Sequence, residues 1–182
     1  MRTGRRRTAS WRRCCGCGRS RSNRSSTPPG GDAVTAAPYR CILYVRATPQ
    51  HVWHALTNAD ESAAYWGHRN VSTWLPGARW EHRRTDESGT VDVAGTVEAA
   101  ERPHRLITTW AGPDEQRPGG PSRVTFELQG HLDLTRLTVT HDRLADEAER
   151  ADAEAGWSAV LSNLKTYLES GRPLPQEPWS MP

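Results

Sequence analysis

His141 is the residue of this chain with the best claim to chemistry. In Thr135–His141, Leu137, Val139 and His141 recur every second residue, which places the imidazole on an apolar strand face opposite Arg136, Thr138 and Thr140. An inward imidazole needs a hydrogen-bonding partner, and Asp142 or a ligand can supply one. Such a group titrates in the range useful for general acid/base catalysis; the plainer alternative is a satisfied structural histidine. Asp142 points to the opposite side of the strand, and no serine or cysteine is assigned beside the pair, so a triad is rejected. His51, His54, His68, His82, His104 and His131 fall on helix surfaces, turns or strand ends and are expected in solvent.

Motifs for other chemistries are missing. There is no G-x-S-x-G, H-E-x-x-H, P-loop or G-x-G-x-x-G. Cys14, Cys15 and Cys17 lack a second pair at zinc-ligand spacing, and Cys41 reads as a small buried apolar residue. Glu147, Glu149, Asp152 and Glu154 read as a solvated acidic face suited to a helix N-terminus. Neither a metal nor a cofactor is expected. The aromatic composition is more telling: eight Trp against one Phe. Tryptophan offers a broad apolar face and one N–H donor, a combination suited to lining a cavity. Trp66, Trp80, Trp110, Phe126, His141 and Trp157 are the candidate ligand-binding set, for a small apolar or aromatic molecule.

These residues must be carried by an α+β architecture. Tyr39–Ala47 alternates as a first strand. Thr48-Pro49 opens a helix through Val52, Trp53 and Leu56, and Asn58–Trp66 continues as a second, ending at Gly67. Val71–Trp74 and Arg79–Arg84 form a hairpin around Leu75-Pro76-Gly77-Ala78, a type II turn. Strands follow at Val91–Ala99, Arg105–Trp110, Arg123–Leu128 and Thr135–His141, with a long loop at Ala111–Pro121. Gly156–Ser170 is an amphipathic helix. Trp157, Leu161, Leu164 and Leu168 form its dry stripe, and Ser158, Asn163, Lys165 and Glu169 its wet side. An antiparallel meander with one buried face needs a covering layer, and this helix is long enough to supply it.

The segments TPQHVWHALTNADESAAYWG, WLPGARW, GTVEAAERPHRLITTW, SRVTFEL, TRLTVTH and GWSAVLSNLKTYLESG, taken in order, resemble the family of homologues of the activator of the heat-shock protein 90 ATPase. That family lies within the START-like (SRPBCC) superfamily. The resemblance covers about Tyr39 to Pro175. It implies a helix-grip (START/Bet v-like) fold, a curved antiparallel sheet packed on a long C-terminal helix, and it makes ligand binding between them the usual expectation. Chaperone activation is not implied, because in the eukaryotic co-chaperone a second domain binds the chaperone.

Charge divides the chain. Residues 1–37 carry nine Arg and one Asp, while the remainder has 15 basic against 20 acidic residues. The expected organisation is an Arg/Ser-rich disordered tail over 1–37, a helix-grip domain over 38–175 and a Pro-rich tail over 176–182. The tail reads as inert, or as the product of a start placed too early, Val34 being a candidate start. A phosphate-contacting arm and a transit-like peptide are the alternatives. The acidic domain is not expected to bind nucleic acid. The longest apolar run falls short of the about 20 residues of a membrane span, so a cytoplasmic location is the default. Lys165 is the lone lysine, a skew typical of a high-GC bacterium. Ligand binding leads. The alternatives are a cyclase or hydratase-like enzyme using His141 as acid/base, and a co-chaperone or regulatory protein acting through the outer sheet surface. A homodimer is compatible with each.

Overall fold

The computed structural model describes residues 36–178; the expectations for residues 1–35 and 179–182 lie outside this range. The elements run β1 (Tyr39–Val45), α1 (Pro49–Thr57), α2 (Ala59–Trp66), β2 (His68–Val71), β3 (Arg79–Arg84), β4 (Val91–Glu101), β5 (Arg105–Trp110), β6 (Ser122–His131), β7 (Leu134–Asp142) and α3 (Glu147–Ser170). The strands make one curled antiparallel sheet in the order β1-β7-β6-β5-β4-β3-β2, packed on the C-terminal helix. This is the expected helix-grip arrangement. Ala36, assigned to the tail from sequence, donates its N–H to Leu144 O (3.1 Å) and packs against the core.

Local chemistry sets the boundaries. Thr48 caps α1 by accepting from His51 N. Asn58 closes α1 with its own N–H and opens α2 by accepting from Asp60 N and Glu61 N, so one residue makes the corner between the helices. Gly67 ends α2 at φ +71°. Gly95 is required sterically. A Cβ there would stand 2.0 Å from Thr109 O and 2.6 Å from Trp80 Nε1, atoms that bond to each other at 2.9 Å across the glycine.

Three expectations are corrected. Strand β2 lies at His68–Val71 rather than Val71–Trp74. Trp74 takes φ +57° and gives its indole N–H to Thr57 O (2.7 Å), an anchor on α1 that removes it from the sheet. The clean alternation of β4 is broken by a register shift: His82 pairs with Val93 and Arg83 with Val91, which skips Asp92 and buries it. Helix α3 starts at Glu147, nine residues before the expected Gly156. Asp146 caps it by accepting from Glu149 N (2.8 Å), and Glu147 and Glu149 occupy its first turn.

The dry stripe of α3 is as expected at Trp157, Leu161, Leu164 and Leu168, and Asn163 joins it. Placed on the wet side from sequence, Asn163 is buried, donating to Tyr65 O (2.5 Å) and accepting from Leu174 N (2.6 Å). It ties α3 to α2 and to the segment that follows. Lys165 and Glu169 reach the free edge of β1, at Tyr44 O (2.7 Å) and Arg46 N (2.9 Å), which blunts that edge against further strand pairing. Among the described residues, no helix is long and apolar enough to cross a membrane.

Candidate functional site

Six elements deliver one aromatic cluster. Trp66 ends α2, Trp80 lies in β3, Trp110 ends β5, Phe126 lies in β6, His141 in β7 and Trp157 in α3. All six are buried. Trp110 is the hub, with ring centroids 5.0 Å from Trp80, 5.5 Å from Trp157, 6.1 Å from His141 and 6.3 Å from Trp66. Phe126 meets Trp157 edge-on at 5.7 Å. The structure brings the whole set together, with the rings in contact with one another.

His141 is held by a directional chain. Trp157 donates its indole N–H to His141 Nδ1 (3.2 Å), so Nδ1 must be the unprotonated nitrogen. The proton is on Nε2, which donates to Ser122 Oγ (2.9 Å). Ser122 gives its own proton to Trp110 O (2.8 Å), an oxygen that can only accept. Burial pushes the His141 pKa down to about 4, opposed by Asp142 and aided by Arg117. The imidazole is therefore neutral near pH 7 with both nitrogens engaged. It cannot take the Ser122 proton, because it is already donating one to that oxygen. The sequence expectation of Asp142 as partner is corrected: Asp142 faces away and binds Arg123 at 2.9 Å. Ser122 was missed, although it lies two residues before Val124 and four before Phe126, on their face.

His68 and His82, expected in solvent, are buried beside this cluster and stack with their rings nearly parallel, centroids 4.1 Å apart. Asn70 donates to Leu56 O (3.0 Å), so its Oδ1 faces His82, which donates from Nδ1 (2.6 Å). Burial, then the neighbouring His68, holds the His82 pKa well below its ordinary value. Asp92 receives Arg84 through two bonds (2.6 and 2.9 Å) and meets His68 Nε2 at 3.0 Å. Burial alone would raise the Asp92 pKa, but Arg84 and His68 outweigh it and the net shift is downward. The available signal for His82 was Trp80, two residues earlier on the same strand face.

One polar atom of the hub is left over. Trp110 is 3 % exposed, and its indole N–H has no hydrogen-bond partner among the described residues. An unsatisfied buried donor costs about 1–3 kcal/mol. The loop of residues 111–121 joins Trp110 to Ser122, register partners at the ends of β5 and β6, and so leaves and re-enters the sheet at the Trp110 end of the cluster. Arg117 in this loop grips Glu149 of α3 with two bonds, 2.7 and 2.6 Å.

Several solved structures share this fold. A protein encoded by gene BPP1335 from Bordetella parapertussis is 28% identical, with 86% of this chain and 87% of that one covered and a TM-score of 0.62. The Aha1 dimer from Colwellia psychrerythraea is 19% identical over 75% of this chain and 98% of that one, at a TM-score of 0.60. CalU16 from Micromonospora echinospora is 20% identical over 76% and 77%, at 0.61. No curated protein matches the chain. The profile of the Activator of Hsp90 ATPase homolog 1-like proteins matches residues 46–169. With the sheet order, the gripping helix and most of its length accounted for, the chain belongs to the Activator of Hsp90 ATPase homolog 1-like family.

Proposed function

We propose that this chain is a non-catalytic binding protein for a flat apolar or aromatic molecule carrying one hydrogen-bond acceptor. The ligand is seated among Trp66, Trp80, Trp110, Phe126, His141 and Trp157. The observation that carries the reading is the Trp110 indole N–H, buried at the hub of the aromatic cluster with no acceptor among the described residues. A carbonyl or ether oxygen arriving between the rings would satisfy it, and ring faces would supply the apolar contact. Because the rings touch in this structure, admission of a ligand requires them to part. The His141 chain fixes the indole of Trp157 and leaves no lone pair for acid/base work, which counts against the cyclase or hydratase reading.

A matched pair of probes tests this: 2-acetylnaphthalene, and 2-ethylnaphthalene, which has the same outline without the oxygen. The ketone should quench tryptophan fluorescence saturably, with micromolar to high-micromolar affinity. It should bind about fivefold tighter than the hydrocarbon, the worth of about one net hydrogen bond. Trp110→Phe should abolish that preference. Equal affinities, or no saturable quenching, would refute the reading.

A second reading is favoured by one feature of the outer surface. Ile42 and Tyr44 on edge strand β1 are 48 and 58 % exposed, and Leu134 on adjacent β7 is also exposed. Such a patch suits docking of a protein, a second copy included. A concentration-dependent dimer in sedimentation, lost in Tyr44→Glu, would support it.

A further inference from the structure

We infer that residues 111–121 form a latched lid over the entrance to the aromatic cluster, held shut by the ion pair between Arg117 and Glu149; the inference rests on the ligand-binding reading above. The loop leaves the sheet at Trp110 and returns at Ser122, so both of its ends belong to the cluster's polar chain. Its tip crosses to α3. Glu149, Ala153 and Trp157 recur every fourth residue, so the latch sits two turns from Trp157 along one side of that helix.

Glu149 is the fixed half of the latch. Its Oε2 also accepts from Ala145 N (2.6 Å), which holds the carboxylate against the start of the helix. Arg117 is the half that can leave. Beyond Ala111, the loop's backbone bonds close on themselves, Glu115 N to Gly112 O and Gly120 N to Arg117 O. Pro113, Pro118 and Pro121 have no N–H to give. Gly119 and Gly120 take φ +85° and +82°, with no atom within 4 Å of where a Cβ would stand. With open space at both glycines, the segment can hinge at that end once the Arg117 side chain, 12 % exposed and 3.4 Å from Glu115 Oε1 in its own loop, is withdrawn from Glu149. Ser122, where the loop ends, accepts from His141 Nε2 (2.9 Å), which places the loop at the His141 end of the cluster, and His141 feels the Arg117 charge.

The test uses the full chain and its Glu149→Gln variant, with two readouts. Hydrogen exchange of the Glu115–Gly120 amides should accelerate about tenfold, while β6 and β7 amides are unchanged, because a bidentate charge-assisted pair has been weakened locally. In stopped-flow quenching by 2-acetylnaphthalene, association and dissociation should both accelerate about tenfold with Kd within about twofold, since the lid is shut in free and bound protein alike. Arg117→Lys, which keeps charge but loses the fork, should fall between and guards against a misfolded Glu149→Gln. Unchanged loop exchange would show that the pair is no latch. Faster exchange with unchanged probe rates would show that the loop is not the route, leaving the binding reading intact. Absence of probe binding in wild type and every variant would overturn the binding reading and the lid with it.

Discussion

Replacing His141 by leucine should make the protein less stable at pH 7 and, at the same time, less sensitive to acid. The buried imidazole is neutral, with its pKa lowered from 6.5 to about 4. Above pH 6.5 neither folded nor unfolded chain carries the proton and the full contribution to stability is present. As the pH falls below 6.5 the unfolded chain takes a proton that the folded one refuses. Stability drains away until about pH 4, where the folded chain is protonated as well. Integrated from pH 7 to pH 5, this costs the wild type about 2 kcal/mol. In His141→Leu that loss disappears, but the Trp157 indole N–H loses its acceptor, at about 1–3 kcal/mol. The variant should therefore trail the wild type at pH 7, and the gap should shrink by about 2 kcal/mol at pH 5. His82 and the carboxylates titrate in both proteins and cancel in the difference. Urea unfolding at half-unit pH steps, with equal slopes for the two proteins, measures it. A gap that stays constant with pH would refute the neutral, doubly engaged histidine.

Two further outcomes follow from packing. Leu164 is fully buried in the middle of the α3 stripe, so Leu164→Ala should cost about 2–5 kcal/mol in urea unfolding; a surface-like loss would mean that α3 is not docked as described. Gly95→Ala forces a methyl into the Trp80–Thr109 bond and should lower stability by about 1–3 kcal/mol through overpacking. An unchanged thermal midpoint would show that β3 and β5 can separate there at no cost.

The architecture was legible from local pattern because its signals are local. Period-two alternation marks β1, β6 and β7, and the caps Thr48, Asn58 and Gly67 and the Trp157–Leu168 stripe each need only neighbouring residues to act. The six aromatic and imidazole residues were legible for the same reason: each lies on the apolar face of its own element, and a curled sheet gripped by a helix has one interior.

What the pattern left undecided is which polar groups that interior would accept. Asn163, His68, His82, Asp92 and Ser122 are buried because partners on other elements or loops satisfy them: Tyr65 and Leu174 for Asn163, Arg84 for Asp92, His141 and Trp110 for Ser122. Hydropathy assigns such residues to solvent, since burial without a partner would be costly, and one sequence does not show the partners meeting. The start of α3 was obscured likewise, because the turns before Gly156 are acidic and mostly exposed, their helix supported by the Asp146 cap and the Arg117–Glu149 bridge. Sequence alone determined the order of most elements, the fold and which element faces are apolar, since those follow from each residue's own preference for water or oil. The tertiary structure decided the tautomer of His141, the unmatched indole of Trp110 and the Arg117–Glu149 pair, since a hydrogen bond is a property of two groups and of the distance between them.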